Sequence, residues 1–521
     1  MARILISYFR SDELSAGTSL AFFESFSKEL EVCGNEVLLI NNAYYGIYKS
    51  NQTKNKAFES YLLEKALAFN PELIITFNHM ILGSILEHTD VPVVIYDGDE
   101  LRYFADLPAI RRNLDRYTVF SIVREWRQDY LDFGFREEQI HYMPPGTSIH
   151  HDLQMPFTKN ISFLGQRRFF LSNKLKKAIK AGDGLDDFYA LYMDHITNKN
   201  YDYSELIHKH FPPEKGLILE DKDIWPLLDQ SYLFFAALMD LGLYIGGHEG
   251  GWKEIVDFAP QLAMLHHKGR IFSLKENQDF YNSSKISLCP MHPQAQGKGF
   301  SWRCLDIMAS NAAIVSSTST ELRGATKGYV DLPMFDSPGE VRDICQKLLQ
   351  DEGYRREIVS GSQRYVDEKG RWIDRIRKME GILGISLVLK EQVDEIISQR
   401  EPEKLLLHPM EIVRKPQSLE ERYSSNPLKQ WFSIQSRKLY DSYISRRFVR
   451  KLLFWTLVFL TGGLLLNPLP FHSFLSKGLA DILGSTLFLL AGILAIVLIS
   501  GVAYKVGIKL FKGIRRNLRV R

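Results

Sequence analysis

Along the first 155 residues, short β-rich apolar runs alternate with longer stretches in which apolar positions recur at helical spacing. The runs Arg3–Tyr8, Glu36–Ile40, Glu72–Phe77, Val91–Tyr96, Thr118–Val123 and Gln139–Met143 predict strands. Between them, Ser19–Val32, Phe58–Phe69 and Arg124–Phe133 predict helices. Such alternation predicts a parallel, doubly wound sheet covered on both faces, with ligands bound beyond the carboxyl ends of its strands. At Tyr142–Ser148 two prolines and a glycine stiffen and turn the chain. This is the expected end of a first domain, 1–150.

A second alternating region follows. Strands are expected at Ile161–Leu164, Leu241–Ile245, Gly269–Phe272, Lys285–Pro290, Ala312–Ser317 and Gly328–Asp331, with a mostly helical stretch from Phe169 to Met239. Helices are expected from about Ser301 to Ser310, from Glu321, and over Pro338–Asp351, Gly353–Glu368, Arg371–Ile385 and Leu387–Arg400. The second domain is placed at 151–385, with an amphipathic and basic linker at 386–448. The fold class is α/β, with two Rossmann-like domains.

The end of the chain follows a different pattern. Leu452–Ser476 carries no Asp, Glu, Lys or Arg, and Ile482–Tyr504 is an uncharged run of 23 residues. At helical rise the second covers ~34 Å, enough for a bilayer core of ~30 Å. The first is interrupted by Asn467–Pro470. Two transmembrane helices are therefore expected within 449–505. Basic residues crowd both flanks, and the tail 506–521 is strongly basic, so both flanks and the folded domains are expected on the cytoplasmic side of an inner, multi-pass membrane anchor. The 521 residues carry a net charge of only +3, which gives no pointer to nucleic acid. The four cysteines form no CxxC pair, so neither a disulfide framework nor a zinc site is expected.

Strand ends carry the candidate chemistry. In the first domain these are His79, Asp97 and Asp99, any of which could position or deprotonate an acceptor hydroxyl; helix capping or a solvated loop is the competing reading. Asp97 and Asp99 also have the spacing of a metal clamp, a pattern common by chance. In the second domain, Gly165 allows close backbone approach and Arg167 could fork onto phosphate. Gly247 and His248 lie in a glycine-rich loop without dinucleotide or triphosphate spacing. The stretch Tyr281–Arg323 then runs strand, loop, helix, strand, loop, helix, with Ser301, Arg303, Asp306, Thr320 and Glu321 at helix starts or one turn in. Helix N-termini facing one sheet edge favour an anionic ligand, although plain capping competes for Ser301, Thr320 and Glu321.

The order of a Gly-Gly loop with Trp252, then GRIFSL at Gly269–Leu274, FYNSSKISLCP at Phe280–Pro290, GFSWRCLDIMASNAAIVSS at Gly299–Ser317 and TEL at Thr320–Leu322 resembles the nucleotide-binding half of a GT-B glycosyltransferase. It is most similar to group-1 members of the spore-maturation-protein-like type. The resemblance covers Ile161–Arg375 and is architectural over Ala2–Pro145. It implies two Rossmann-like domains facing across a cleft, a nucleotide-sugar donor held by the second, an acceptor held by the first, and no required metal or cofactor. By position it places Asp306 on the donor ribose. Arg303, one turn before it, could neutralise the leaving diphosphate, with a local Arg303–Asp306 pair as the competing reading. Many retaining members have a glutamate eight positions before Asp306, where this chain has Lys298.

The sequence is thus read as a hexosyl-type glycosyltransferase at the cytoplasmic membrane face. Its partners would be a nucleotide-sugar, a glycan or lipid-linked acceptor of polysaccharide or glycolipid assembly, and membrane lipids, with no nucleic acid. An inert binding or scaffold protein on the same fold is the alternative.

Overall fold

The computed structural model describes residues 2–10, 20–45, 56–165, 172–198, 203–220, 223–224, 228–229, 231–247, 252, 260–267, 271–292 and 297–389. All belong to one compact unit, Met1–Lys415. The two apolar runs Leu452–Ser476 and Ile482–Tyr504 lie outside the described residues. Among the described residues, no helix is long and apolar enough to cross a membrane.

Two parallel sheets organise the fold. The first contains β1 (Arg3–Tyr8), β2 (Glu36–Asn41), β3 (Leu73–Phe77), β4 (Val93–Tyr96), β5 (Tyr117–Ser121) and β6 (Ile140–Tyr142) in the order β2-β1-β3-β4-β5-β6. Its central strands are covered on both faces, so Leu73–Phe77 and Val93–Tyr96 are buried at every position. The second contains β7 (Lys159–Leu164), β8 (Leu243–Gly246), β9 (Ser284–Cys289), β10 (Ala313–Ser317) and β11 (Met334–Phe335) in the order β11-β10-β9-β7-β8. All strand pairings in both sheets are parallel. Each order reverses once, between β1 and β3 and between β7 and β9, and crevices open at such points.

Two expected strands are corrected. Ile271 and Phe272 form no strand; Ser273 and Glu276 make a reciprocal capping box that starts the helix Leu274–Asn282 at this point. The edge strand is Met334–Phe335 rather than Gly328–Asp331, because 327–329 form the turn after the helix Thr320–Thr326, with Gly328 at φ +89. Leu387–Leu389 are irregular rather than the start of a helix, tied down by Asn35 Nδ2 donating to the Leu387 carbonyl and Leu389 N donating to that of Cys33.

The chain passes between the sheets twice, and the two passages touch. After β6 it runs outward through Pro144–Ser148, and it returns at Arg371 into the helix Trp372–Leu383. Trp372 is fully buried in the first sheet's core with Phe26 and Tyr96, and its indole donates to Ser25 Oγ at 2.8 Å. Thr147 N donates to the Gly370 carbonyl, and Arg375 Nε donates to that of Pro144 at 2.8 Å. The helix Ala21–Val32 joins the second domain: Ala21 N donates to the Phe272 carbonyl, and Glu24 accepts from Leu274 N at 2.8 Å while pairing with buried Lys28. Between β7 and β8, the helices Asn173–Ala181, Leu185–Asn198 and Tyr203–His210 pack around a small core of their own, centred on Leu175, Leu191 and Leu206.

Gly146 shows how tight the double crossing is. A Cβ there would lie 2.7 Å from Trp372 Cα and 2.8 Å from its backbone nitrogen. Replacing Gly146→Ala is expected to destabilise the protein by about 1–3 kcal/mol, the cost of overpacking a rigid contact. Denaturant melts of the detergent-solubilised chain check this; an unchanged midpoint would mean that the crossing yields easily.

Candidate active site

The carboxyl ends of β7, β8 and β9 bring Gly165, Gly247, Ser301 and Arg303 together. Gly165 N donates to the Gly246 carbonyl, and the two glycine turns are nested: a Cβ on Gly247 would lie 2.7 Å from Gly165 O. A Cβ on Gly165 would lie 2.6 Å from Arg303 Nη2. The missing side chain is therefore what gives the guanidinium its place. Arg303 also sits 5.3 Å from the Phe163 ring centroid and beside Tyr281 and Cys289. Burial acts most strongly and against its charge, while Cys289, Tyr281 and Cys304 together act the other way, so its pKa lies above the ordinary arginine value. The result is a permanent cation at the point where the sheet order reverses.

Aromatic residues wall this corner. Trp252 Nε1 donates to the Gly165 carbonyl at 3.3 Å, and the stacked His266 lies 3.0 Å from the Gly247 carbonyl through Nε2. Ser301 occupies the N-cap position of the helix Trp302–Met308, yet its side chain does not cap; its Oγ lies 3.6 Å from Cys289 Sγ. Trp302 packs against Phe22 of the first domain with ring centroids 4.7 Å apart.

Asp306 is buried one turn further along. Its Oδ1 accepts from Thr147 Oγ1 at 2.6 Å, which ties the helix to the chain crossing. Burial raises its pKa to about 7, against the pull of Thr147 and Arg303. Arg303 lies near enough to act on its charge, and one carboxylate oxygen is held by Thr147.

Thr320 and Glu321 contact a different set of residues. Ser319 caps the helix Thr320–Thr326, and its hydroxyl lies 2.8 and 3.0 Å from the carbonyls of Lys298 and Gly299. Thr320 Oγ1 donates to the Gly297 carbonyl at 3.3 Å. Glu321 reaches the first domain: its Oε1 accepts from Arg124 N at 3.0 Å, beside Tyr142 and Glu125. Burial raises the Glu321 pKa, and the neighbouring Glu125 carboxyl adds to it. Arg124 in turn lies 3.7 Å above the Tyr142 ring. Gly299 completes this junction, since a Cβ there would lie 2.9 Å from the Ile122 carbonyl. These residues fasten the 297–299 loop to the Ile122–Arg124 loop of the first sheet.

The expectations for His79 and Asp97 need correction. His79 is fully buried at φ +56, donating from Nδ1 to the Ala105 carbonyl at 2.6 Å and accepting at Nε2 from Tyr117 OH at 3.0 Å. Burial lowers its pKa to about 4. Both nitrogens are committed to the fold, so it offers no lone pair to an acceptor hydroxyl. Asp97 is buried, accepting from Ile122 N at 2.8 Å and from Tyr130 OH at 2.7 Å, and burial raises its pKa to about 7. It positions the Ile122–Arg124 loop that meets Gly299 and Glu321. Asp99 accepts from Asn78 Nδ2 at 2.7 Å, while Asn78 Oδ1 accepts from Gly98 N and Asp99 N. Among the described residues, no group of three or more His, Cys, Asp or Glu could hold a metal ion. Arg167 and His248 lie outside the described residues.

The sequence reading missed Thr147, Ser319, Tyr142 and His266 as members of this arrangement. Only the loop composition near Thr147 gave a signal, and it was one of turning rather than of contact.

Residues 231–381 match a glycosyl transferase-like family model. This segment contains Gly247, Trp252, Ser301, Arg303, Asp306, Thr320 and Glu321. No curated protein matches the chain in sequence. Among solved structures, sucrose-phosphate synthase from Thermosynechococcus elongatus is similar at 12% identity and a TM-score of 0.45, over 73% of this chain and 98% of that one. HepE from Anabaena in complex with UDP and glucose is similar at 9% identity and a TM-score of 0.44, over 74% and 100%. T4 phage BGT in complex with its UDP-glucose substrate is similar at 10% identity and a TM-score of 0.38, over 73% and 100%. At these identities and scores the likenesses carry no argument about donor or acceptor.

Two buried acids with raised pKa values set a pH dependence. Asp97 and Asp306 both move from 3.8 to about 7, so the folded chain holds their protons more tightly than the unfolded chain. Their stabilising effect is complete below pH ~4 and is lost as pH rises through 7. Asp97→Asn is expected to remove its share, on the order of 2–4 kcal/mol by pH 8. Melts at pH 5 and pH 8 check this: the wild type should lose more stability over the interval than the variant does. Equal losses would place the charge cost elsewhere.

Proposed function

We propose that the protein is a glycosyltransferase that takes a sugar from a nucleotide-sugar bound at the β7–β9 edge and passes it to an acceptor hydroxyl presented by the first domain. The observation that carries this reading is Arg303, a fixed cation seated against Gly165 within the segment that matches the glycosyl transferase-like family. The leaving nucleoside diphosphate gains negative charge as the glycosidic bond breaks, and a preorganised guanidinium stabilises that change without reorganisation. The bare turn at Gly165 lets the Arg303 guanidinium lie directly against backbone at this sheet edge. Arg303 supplies positive charge for the leaving diphosphate. Asp306 serves the donor end as a carboxyl held by Thr147, where a vicinal diol would find an acceptor beside a guanidinium.

The two uncharged runs near the end of the chain and their basic flanks support an inner-membrane, multi-pass anchor with the catalytic domains on the cytoplasmic side. A lipid-linked or membrane-proximal acceptor, as in polysaccharide or glycolipid assembly, follows from that placement. Lys298, where many relatives of the retaining type have a glutamate, favours a donor-end arrangement different from theirs.

The test is donor hydrolysis and transfer by the full, detergent-solubilised chain with UDP-, GDP-, ADP- and CMP-sugars, with and without membrane lipid extract. One donor should turn over, and Arg303→Ala should lower kcat/KM by about 100-fold or more. Nucleotide binding without turnover of any donor would favour an inert binding protein on the same fold.

A further inference from the structure

The helical insertion between β7 and β8 presents a surface that its own packing does not explain. In the helix Leu185–Asn198, Phe188, Leu191 and His195 face the insertion's core. Leu185, Tyr189, Met193 and Ile196 do not; they are 49%, 67%, 37% and 37% exposed. At 100° per residue these four fall within an arc of ~80°, a continuous apolar stripe on the outward side. Isolated exposed apolar residues are ordinary, but a stripe along one helix is not. The charged residues of this helix lie to one side: Asp187 pairs with Lys215, Asp194 pairs with Lys209 and His210, and Asp186 stands exposed at the margin.

The preceding helix, Asn173–Ala181, shares the same small core through Leu175 and Ala178. Its other side carries Lys174, Lys177 and Lys180, all exposed, with Lys176 half-buried. None of the four forms an ion pair among the described residues. A basic helix beside an exposed apolar stripe is the pattern of a surface that enters the headgroup region of an anionic bilayer. A second copy of the chain would match the apolar stripe but would leave the lysine row without opposite charge. The later uncharged runs, Leu452–Ser476 and Ile482–Tyr504, give a reason for a bilayer to be near, so this inference rests on the membrane reading above.

We infer that the insertion Asn173–His210 docks on an anionic lipid surface, with Tyr189 and Met193 entering the headgroup layer and Lys174, Lys177 and Lys180 meeting lipid phosphates. The insertion would then be a second attachment, separate from the anchor, that fixes how the catalytic domains face the membrane.

A nitroxide at Met193→Cys tests this in the full chain reconstituted into vesicles. The native cysteines Cys33, Cys289, Cys304 and Cys345 are all buried, so labelling is selective. In vesicles of phosphatidylglycerol and phosphatidylcholine, the label's collision ratio for oxygen over a nickel chelate should rise several-fold above that in detergent-free phosphatidylcholine vesicles. Lys174→Glu combined with Lys177→Glu and Lys180→Glu should return it to the lower value. Protein that floats with the vesicles while its label stays in water overturns docking and leaves the anchor intact. A label shielded from both reagents on every lipid makes the stripe a protein interface and overturns the inference. Protein that fails to float removes the membrane reading, and docking with it, while donor turnover is measured independently.

Discussion

Backbone lies on backbone where the chain crosses between its two sheets. Gly146 allows Pro144–Ser148 to rest against the first residue of the returning helix, and nothing larger fits there. Around that contact the two sheets are held in sequence: Trp372 fills the first sheet's core, Arg375 holds the Pro144 carbonyl, and Thr147 reaches Asp306. The relation between the sheets is therefore set by packed, hydrogen-bonded chain rather than by a free linker. This reaches the site directly, because the helix carrying Arg303 also carries the Thr147-bound carboxyl.

The site itself depends on what is absent from two positions. Gly165 and Gly247 leave bare turns stacked edge to edge, and Arg303 takes the volume a side chain would have filled. Phe163 lies 5.3 Å beneath its guanidinium. The groups that read from sequence as acceptor-side acid and base play another part. His79 and Asp97 hold loops in shape from beneath, and Asp97 passes its effect through Ile122 to Gly299.

The strands were legible because a parallel strand covered on both faces is an unbroken apolar run, as in Leu73–Phe77. A helix start was legible where capping chemistry is local, as at Ser337. The same local chemistry explains the false strand at Gly269–Phe272, where β-rich composition met a cap already in place. What could not be read were contacts between distant residues. Thr147 and Asp306 are 159 positions apart, and His79 meets Tyr117 across 38. A histidine at a strand end looks the same in sequence whether it faces solvent or is buried, and burial here decided its role.

The insertion's separate core has a consequence for cooperativity. Among the described residues, Leu175, Leu191, Leu206 and their neighbours form an apolar cluster apart from those of the two sheets. In amide-exchange terms the insertion is a foldon, and its protection factors should follow a lower opening free energy than those of β3 or β9. Its three helices can therefore loosen and re-form while the two sheets remain folded.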